Sequence, residues 1–262
     1  RGDPEIFAEP DTVFKIINKK KLNINFDKNW LNQIKHDHNK KVNSSKKTNK
    51  KTLGDDSKIH PEYIFDCINS LISEDHVAIA DGGDILSFSR VGFNARYYLD
   101  SGVFGCLGVG IPYAIAASEI FKNMPIICVI GDGAFGFNAM ELDTALRNKS
   151  NICIIISNNA GWNIETNDQK LNYGNRVYGT ELTHTDYAKM AAGIGVYSER
   201  VTNPEQLIIS IENALKNTPS VVDVVTSSTV LSSDALKGLG LVPKYQALEV
   251  WDNLEKKYRE ED

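Results

Sequence analysis

The chain has 262 residues, of which 42% are hydrophobic and 24% charged, and its formal net charge is −5. These values are typical of a globular protein and exclude collagen, a wholly disordered chain and a disulfide-rich miniprotein. No apolar run approaches the ~20 residues that a membrane-spanning helix needs, and residues 1–25 lack the apolar core of a signal peptide. We therefore expect a cytoplasmic protein without a membrane partner, although nothing in the sequence distinguishes the cytoplasm from an organelle. Because the chain begins with Arg1 rather than Met, we also expect a fragment or a processed product.

Positive charge is concentrated near the N-terminus. Residues 15–58 contain 13 lysines and only four acidic residues, whereas residues 59–262 have an excess of negative charge. The polar stretch 38–58 has no periodicity, so residues 21–58 are predicted to form a Lys/Asn-rich linker. A nucleic-acid-binding arm is the alternative for a lysine run. The stretch has neither arginine nor interleaved aromatic residues, and we expect no nucleic-acid partner.

From residue 59 onward, short apolar runs alternate with helical patterns. Pro61 and Glu62 favour the start of a helix, and Ile64, Ile68 and Leu71 recur at helical spacing. Runs rich in β-branched residues predict buried strands at 76–80, 126–130, 151–157 and 220–225. Helical patterns occupy 109–121, 138–148, 185–193, 204–217 and 245–259. This alternation predicts an α/β fold, an open parallel sheet with helices on both faces.

The four cysteines show no CxxC spacing and no neighbouring pair of histidines. Cys128 and Cys153 lie within apolar runs, which predicts reduced, buried thiols. A structural zinc site is disfavoured, because such sites need clustered thiolates or imidazoles.

Gly, Asp and Asn are concentrated in the loops that directly follow three predicted strands, at 81–84, 131–134 and 158–161. In open parallel sheets, ligands bind beyond the carboxyl ends of the strands. Glycine lets backbone N–H groups approach an anion closely, and carboxylate, amide and carbonyl oxygens suit Mg²⁺. We therefore expect Asp132, Asn159 and a nearby carbonyl to share one Mg²⁺ that holds a diphosphate. Taken alone, each loop is equally typical of a turn or a helix cap.

A family resemblance favours the first interpretation. The sequence Gly131-Asp132-Gly133, followed after 24 residues by Asn158-Asn159, resembles the signature of thiamine diphosphate-dependent enzymes. Segments 99–118, 131–148, 158–165 and 232–260 are similar to the acetolactate synthase and 2-hydroxyacyl-CoA lyase branch. The resemblance implies that residues 59–262 form the C-terminal, diphosphate-binding domain, with the thiamine diphosphate-binding fold. Residues 1–20 resemble the tail of the central domain, and the N-terminal, pyrimidine-binding domain is absent.

Each site residue carried over from the family has an implied role. The ligands of Mg²⁺ would be the Asp132 carboxylate, the Asn159 amide oxygen and the Gly161 carbonyl. The Gly105 carbonyl would accept a hydrogen bond from the aminopyrimidine, and Leu107 would be the apolar wedge that bends the cofactor. The diphosphate would be held by the loops that contain Gly83, Asp84, Gly131, Gly133, Ala134 and Phe135. No catalytic residue is assignable, since the activating Glu of the family lies in the missing N-terminal domain.

The resemblance also implies an activity. We expect the chain to be part of an enzyme that depends on thiamine diphosphate and Mg²⁺ and is similar to acetolactate synthase. Such an enzyme would make or break a C–C bond next to the carbonyl of a small 2-oxo acid. The alternatives are an enzyme similar to 2-hydroxyacyl-CoA lyase or oxalyl-CoA decarboxylase, or a non-catalytic cofactor-binding fragment. The expected partners are a pyrimidine-binding domain of the same or another chain and further copies of this chain, in a homodimer or tetramer. The chain alone should be inactive, and the sequence gives no signal for or against FAD.

Two residues near these loops have competing interpretations. His184 precedes a helical pattern and is interpreted as part of a capping sequence rather than as an acid–base group. Trp162 either lines the substrate side of the site or packs as an aromatic lid.

Overall fold

The computed structural model describes residues 7–20, 27–47, 51–232, 235, 236, 253, 254 and 257. The chain divides into two compact units, Arg1–Lys50 and Lys51–Asp262. None of the helices within the described residues is both long and apolar enough to cross a bilayer.

The described part of the first unit consists of two helices, α1 (Pro10–Lys19) and α2 (Lys28–Lys47). Asp27 caps α2, because its Oδ1 accepts the N–H groups of Asn29 (2.9 Å) and Trp30 (3.2 Å). Residues 28–47 contain neither Gly nor Pro, so nothing interrupts the helix. The structure thus differs from the linker predicted over 21–58, since α2 occupies much of it.

The second unit is built on one six-stranded sheet in which all neighbouring strands are parallel, in the order β2-β1-β3-β4-β6-β5. The strands are β1 (Val77–Asp81), β2 (Tyr97–Leu99), β3 (Ile126–Gly131), β4 (Ile152–Asn158), β5 (Tyr197–Val201) and β6 (Ser220–Val225). The predicted α/β fold is confirmed, and the four predicted strands are β1, β3, β4 and β6. The sequence did not indicate β2 and β5, because these edge strands lack a continuous apolar run.

Helices cover both faces of this sheet, as the alternating pattern predicts. They are α3 (Pro61–Leu71), α4 (Asp84–Gly92), α5 (Gly110–Ile120), α6 (Asp132–Asn138), α7 (Glu141–Arg147), α8 (Asn163–Asn172), α9 (Tyr187–Ile194) and α10 (Pro204–Lys216). Ile130 and Ile154 pack on one face with residues of α5, α7 and α9. Val129 and Ile155 pack on the other face with residues of α3, α4 and α10. The helix predicted over 138–148 corresponds to α7, and α6 precedes it.

Two further predictions concern the ends of the second unit. Residues 51–58 were assigned to the linker, but they belong to this unit: Ser228 donates its N–H to Asp56 Oδ2 (3.2 Å), and a Cβ at Gly54 would overlap the Ser227 side chain. The helix predicted over 245–259 lies outside the described residues except for 253, 254 and 257, which are helical.

The thiols agree with the sequence interpretation. All four cysteines are reduced thiols, and Cys67, Cys128 and Cys153 are buried while Cys106 is exposed. Burial raises the pKa of Cys153 to about 12, so this thiol stays protonated and unreactive at neutral pH.

Candidate functional site

A pocket opens at the carboxyl ends of β1, β3 and β4. The chain leaves β1 for the edge strand β2 and returns to β3 on the other side of β1, so the strand order reverses at this point. Ligands of open α/β sheets bind at such reversals. The register pairs Gly131 of β3 with Ser157 of β4, which brings the loops that follow these two strands side by side. The pocket is lined by Gly82, Gly83, Asp84, Ile85, Gly131, Asp132, Gly133, Ala134, Ser157, Asn159, Gly161, Trp162, Asn163, Ile164 and Glu165.

The predicted Mg²⁺ ligands meet at one backbone nitrogen. The N–H of Gly161 lies 3.3 Å from Asp132 Oδ2 and 3.1 Å from Asn159 Oδ1. The carboxylate and the amide oxygen come from two different strand ends, yet both are within hydrogen-bond distance of the same atom. The two oxygens therefore lie in the same part of the pocket. The loop sequences predict that these two groups share one Mg²⁺, and that role stays a prediction.

Asp132 is a buried carboxyl group with a raised pKa. Its side chain is 2% exposed, and none of the ion pairs between described residues involves it. Burial raises its pKa to about 6, and hydrogen bonds from the N–H groups of Gly133, Ala160 and Gly161 oppose the shift only in part. A buried carboxylate without a cationic partner suits a metal ion, which would remove this unfavourable desolvation.

Oxygen donors of this kind fit Mg²⁺ better than a transition metal. Mg²⁺ is commonly bound through one or two carboxylates together with phosphate oxygens of a ligand. The described residues contain no cluster of three His, Cys, Asp or Glu side chains of the kind that would bind zinc. The proposed donor set has one carboxylate, one amide and one carbonyl, and needs a phosphate ligand to be completed.

The loop that contains Asn159 is held in a strained conformation. Ala160 has φ +58°, a left-handed conformation that residues with a side chain adopt reluctantly. Segment 180–182 fixes the loop, because Leu182 donates its N–H to the Ala160 carbonyl (2.9 Å) and Trp162 donates to the Thr180 carbonyl (2.8 Å). Neither bond uses the N–H or the carbonyl of Gly161. A strained backbone conformation persists when several surrounding contacts hold it in place, and such conformations are frequent at ligand sites.

The loop between β1 and α4 forms the opposite wall of the pocket. Gly82 has φ +128°, which favours glycine, and a Cβ at Gly83 would lie 2.6 Å from Ile164 Cγ2. The backbone can therefore approach a ligand closely here. The buried carboxylate of Asp84 accepts hydrogen bonds from the Asn163 side chain (3.3 Å) and the Ser232 N–H (3.1 Å), which tie this loop to α8 and to the segment after β6.

Trp162 covers the first turn of α6. A Cβ at Gly133 would lie 2.7 Å from two atoms of the Trp162 ring, so glycine is required for this contact. The ring is half-buried and meets Phe137 edge-on, with 6.0 Å between the ring centres. Both interpretations of Trp162 from the sequence remain compatible with this position, since the ring packs on α6 and also lines the pocket.

Three of the predicted cofactor residues lie outside this pocket. Gly105 is exposed with φ +59°, Leu107 is half-buried against the core, and the Phe135 side chain is fully buried edge-on against Tyr187. The roles predicted for these three residues stay predictions.

The structure also adds residues that the sequence interpretation did not single out. Asn163, Ile164 and Glu165 line the pocket, and they fall within the quoted segment 158–165. Burial, with the nearby charges of Asp168 and Asp84, raises the pKa of Glu165. The capping sequence that contains His184 does precede α9, and its capping residue is Asp186, which accepts the Lys189 N–H (2.9 Å); His184 Nε2 lies 3.1 Å from Lys58 Nζ.

Comparison with known families agrees with this geometry. Residues 85–224, more than half of the chain, match the family model described as thiamine pyrophosphate enzyme, C-terminal TPP binding domain. The chain belongs to this family. The ends of β3 and β4 and the start of α6, which border the pocket, lie inside the matched region, whereas the end of β1 precedes it.

Individual relatives within the family come from two branches. The chain is 32% identical over 176 residues to a probable acetolactate synthase of Mycobacterium bovis, and the aligned residues make up 66% of this chain and 32% of the relative. It is 29% identical over 180 residues to 2-hydroxyacyl-CoA lyase 2 of Bos taurus, over 65% of this chain and 28% of the relative. It is 28% identical over 179 residues to human 2-hydroxyacyl-CoA lyase 1, over 62% of this chain and 31% of the relative. The matched part of the chain thus spans about a third of the length of these relatives.

Proposed function

We propose that the pocket binds the diphosphate of thiamine diphosphate through Mg²⁺, and that the chain is the C-terminal part of an acetolactate synthase-like enzyme. The observation that carries the proposal is the meeting of the Asp132 and Asn159 oxygens at the Gly161 N–H. The metal ligands would be these two oxygens and the Gly161 carbonyl. The reaction would join or cleave a C–C bond next to the carbonyl of a 2-oxo acid, and further copies of the chain would be its partners.

Each part of the pocket has a distinct task in this proposal. The carboxylate of Asp132 would neutralise the cation, while Asn159 and Gly161 would fix its position. Backbone N–H groups of the glycine-containing turns at 82–84 and 131–134 would face the diphosphate oxygens. Trp162 would exclude water from this region by covering the start of α6. When bound, the cofactor supplies a thiazolium that acts as an electron sink for the carbon next to a carbonyl.

The remaining parts of the enzyme would come from outside the described pocket. Residues 1–20 would be the end of a central domain, and a pyrimidine-binding domain of the same or another chain would complete the cofactor site. Gly105 and Leu107 would face that domain and contact the aminopyrimidine. The described pocket would then hold the cofactor by its diphosphate, and the pyrimidine-binding domain would supply the activating Glu.

The second candidate is an enzyme that acts on 2-hydroxyacyl-CoA or oxalyl-CoA. The relatives named 2-hydroxyacyl-CoA lyase favour it, since their identity to this chain is close to that of the acetolactate synthase relative. The proposed metal and diphosphate site would be the same for both reactions. Turnover of pyruvate against turnover of 2-hydroxyacyl-CoA esters by the full-length gene product separates the two.

Calorimetry of the chain with thiamine diphosphate and Mg²⁺ tests the proposed site. Wild-type chain should bind the cofactor only when Mg²⁺ is present, and Asp132→Ala should abolish this binding while the far-UV circular dichroism spectrum is retained. Asp143→Ala is the matched control, because it removes an exposed carboxylate from the nearby helix α7. Unchanged binding by Asp132→Ala would refute the metal site.

A further inference from the structure

A buried polar cluster joins the end of β4 to β5, β6 and the start of α9. Asn158 of β4 is completely buried, and its Nδ2 donates to the carbonyl of Thr185 (2.9 Å) and to Asp223 Oδ1 (2.9 Å). Both partners are acceptors only, so the nitrogen of the amide must face them. The backbone carbonyl of Asn158 accepts the Thr226 N–H (2.9 Å). The residue that directly precedes Asn159 is therefore fixed through both its side chain and its backbone.

An ion pair between a buried carboxylate and a partly exposed arginine supports this amide. Asp223 of β6 is completely buried, and its Oδ2 accepts the Tyr187 N–H (3.0 Å) and Arg200 Nη1 (2.7 Å). The same Arg200 nitrogen donates to the Thr185 carbonyl (2.7 Å). Arg200 thus contacts both groups that accept hydrogen bonds from Asn158. Because Asp223 is completely buried, loss of Arg200 would leave its carboxylate without a cationic partner, and the cluster is therefore sensitive to this change.

The cluster matters for the pocket because of the strain at Ala160. The turn 158–161 contains one left-handed alanine, and a conformation of this kind relaxes when its supports are removed. Segment 180–182 supports the turn after Ala160, and the cluster supports it before Asn159. Successive side chains of a strand point to opposite sides: Ser157 lines the pocket and Asn158, the last residue of β4, does not. Anchoring Asn158 therefore fixes the point at which the chain leaves the strand and continues into Asn159.

We propose that Asn158, Asp223 and Arg200 are positioning residues for the cation site, which hold the strained turn so that the Asn159 oxygen and the Gly161 backbone face Asp132. The inference rests on the proposed function, because it assigns a role toward Mg²⁺. None of the three residues lines the pocket, so they act on the ion only through the turn. Groups of this kind typically change metal affinity by roughly 10–100-fold when they are replaced.

The test uses the complete chain and measures how much Mg²⁺ is needed for thiamine diphosphate binding by calorimetry. Arg200→Met removes the cation and keeps much of the side-chain length. We expect the Mg²⁺ concentration at half-maximal binding to rise about ten-fold or more, and saturating Mg²⁺ to restore binding. Lys216→Met is the matched control: it also removes one positive charge, but from an exposed pair with Glu212 on α10.

Asp223→Asn supplies a second variant that keeps the buried volume. Its new amide would retain one oxygen for Tyr187 and Arg200, and its NH₂ group would face the NH₂ group of Asn158 and turn that side chain away. We expect the same rise in the Mg²⁺ requirement, measured on protein shown to be folded by circular dichroism. A lower melting temperature with a Mg²⁺ requirement within about two-fold of wild type would show a merely structural role and overturn the inference.

These outcomes are separate from failure of the proposed function. A wild-type chain that binds thiamine diphosphate without any dependence on Mg²⁺, or an Asp132→Ala variant that binds like wild type, would refute the metal site itself. Wild-type binding that depends on Mg²⁺ and on Asp132, but not on Arg200 or Asp223, would refute only the positioning role.

Discussion

Replacing Gly133 by alanine would place a methyl group against the Trp162 ring. The new Cβ would lie 2.7 Å from two ring atoms and 2.9 Å from a third, distances that side chains do not tolerate. Either the ring or the first turn of α6 must move. Gly136 lies one turn later in the same helix, and a Cβ there would meet no atom within 4 Å. The two glycines therefore form a matched pair that differs in steric surroundings.

The expected energies follow from two opposing effects. Gly→Ala at a helical position with compatible backbone stabilises a protein by about 0.4–1 kcal/mol, chiefly by restricting the unfolded chain. Gly136→Ala should show this gain. Inserting a carbon into a packed contact costs about 1–3 kcal/mol, so Gly133→Ala should be less stable than Gly136→Ala by about that amount. The displaced ring adjoins Gly161, and Gly133→Ala should therefore also weaken Mg²⁺-dependent binding of thiamine diphosphate.

Urea denaturation of both variants and the wild type, followed by circular dichroism, measures the difference in the free energy of unfolding. The double variant Gly133→Ala/Trp162→Leu is informative, since a smaller side chain at 162 should recover part of the loss. Equal stability of Gly133→Ala and Gly136→Ala would refute the argument, because it would mean that Trp162 does not pack on Gly133.

Three further predictions concern charge, strain and the domain boundary. Burial raises the pKa of Asp132 from 3.8 to about 6, so the folded state binds this proton more tightly than the unfolded state. The free energy of unfolding should therefore fall as the pH rises through this range. Unfolding titrations should show that wild type loses up to about 3 kcal/mol relative to Asp132→Asn between about pH 4 and pH 7. Ala160→Gly should raise the free energy of unfolding by about 1 kcal/mol, because glycine adopts a positive φ without strain; a lower midpoint in urea would contradict this. A chain of residues 59–262 should have a lower melting temperature than a chain of residues 51–262, since it lacks the contacts of Gly54 and Asp56 with the segment after β6; equal melting temperatures would place the boundary at 59.

Local sequence signals predicted the elements that form the core. The apolar runs of β1, β3, β4 and β6 are buried on both faces, and such strands cannot be mistaken for solvent-exposed segments. The edge strands β2 and β5 were missed because their stability comes from pairing with a neighbour rather than from their own composition. Helix α2 was missed for a different reason: Asp27 provides a cap, but the surrounding lysines and asparagines resemble a linker.

Some features of the candidate site could likewise be predicted from the sequence, whereas others could not. The chain itself specifies Asp132 and Asn159 at the ends of consecutive strands of one crossover unit, and the topology of parallel sheets then requires these ends to be neighbours. Composition and spacing were sufficient for that step. Nothing in the spacing indicated that Asn158 would be anchored by Asp223 and Arg200, which lie more than 40 residues further along the chain.

The sequence thus determined the α/β fold and the position of Asp132 and Asn159 at neighbouring strand ends, because strand burial and loop composition are local properties of the chain. The tertiary structure alone decided that Trp162 covers Gly133, that the turn at Ala160 is strained, and that residues 51–58 complete the second unit. These features depend on contacts between segments far apart in sequence, and such contacts exist only once the chain has folded.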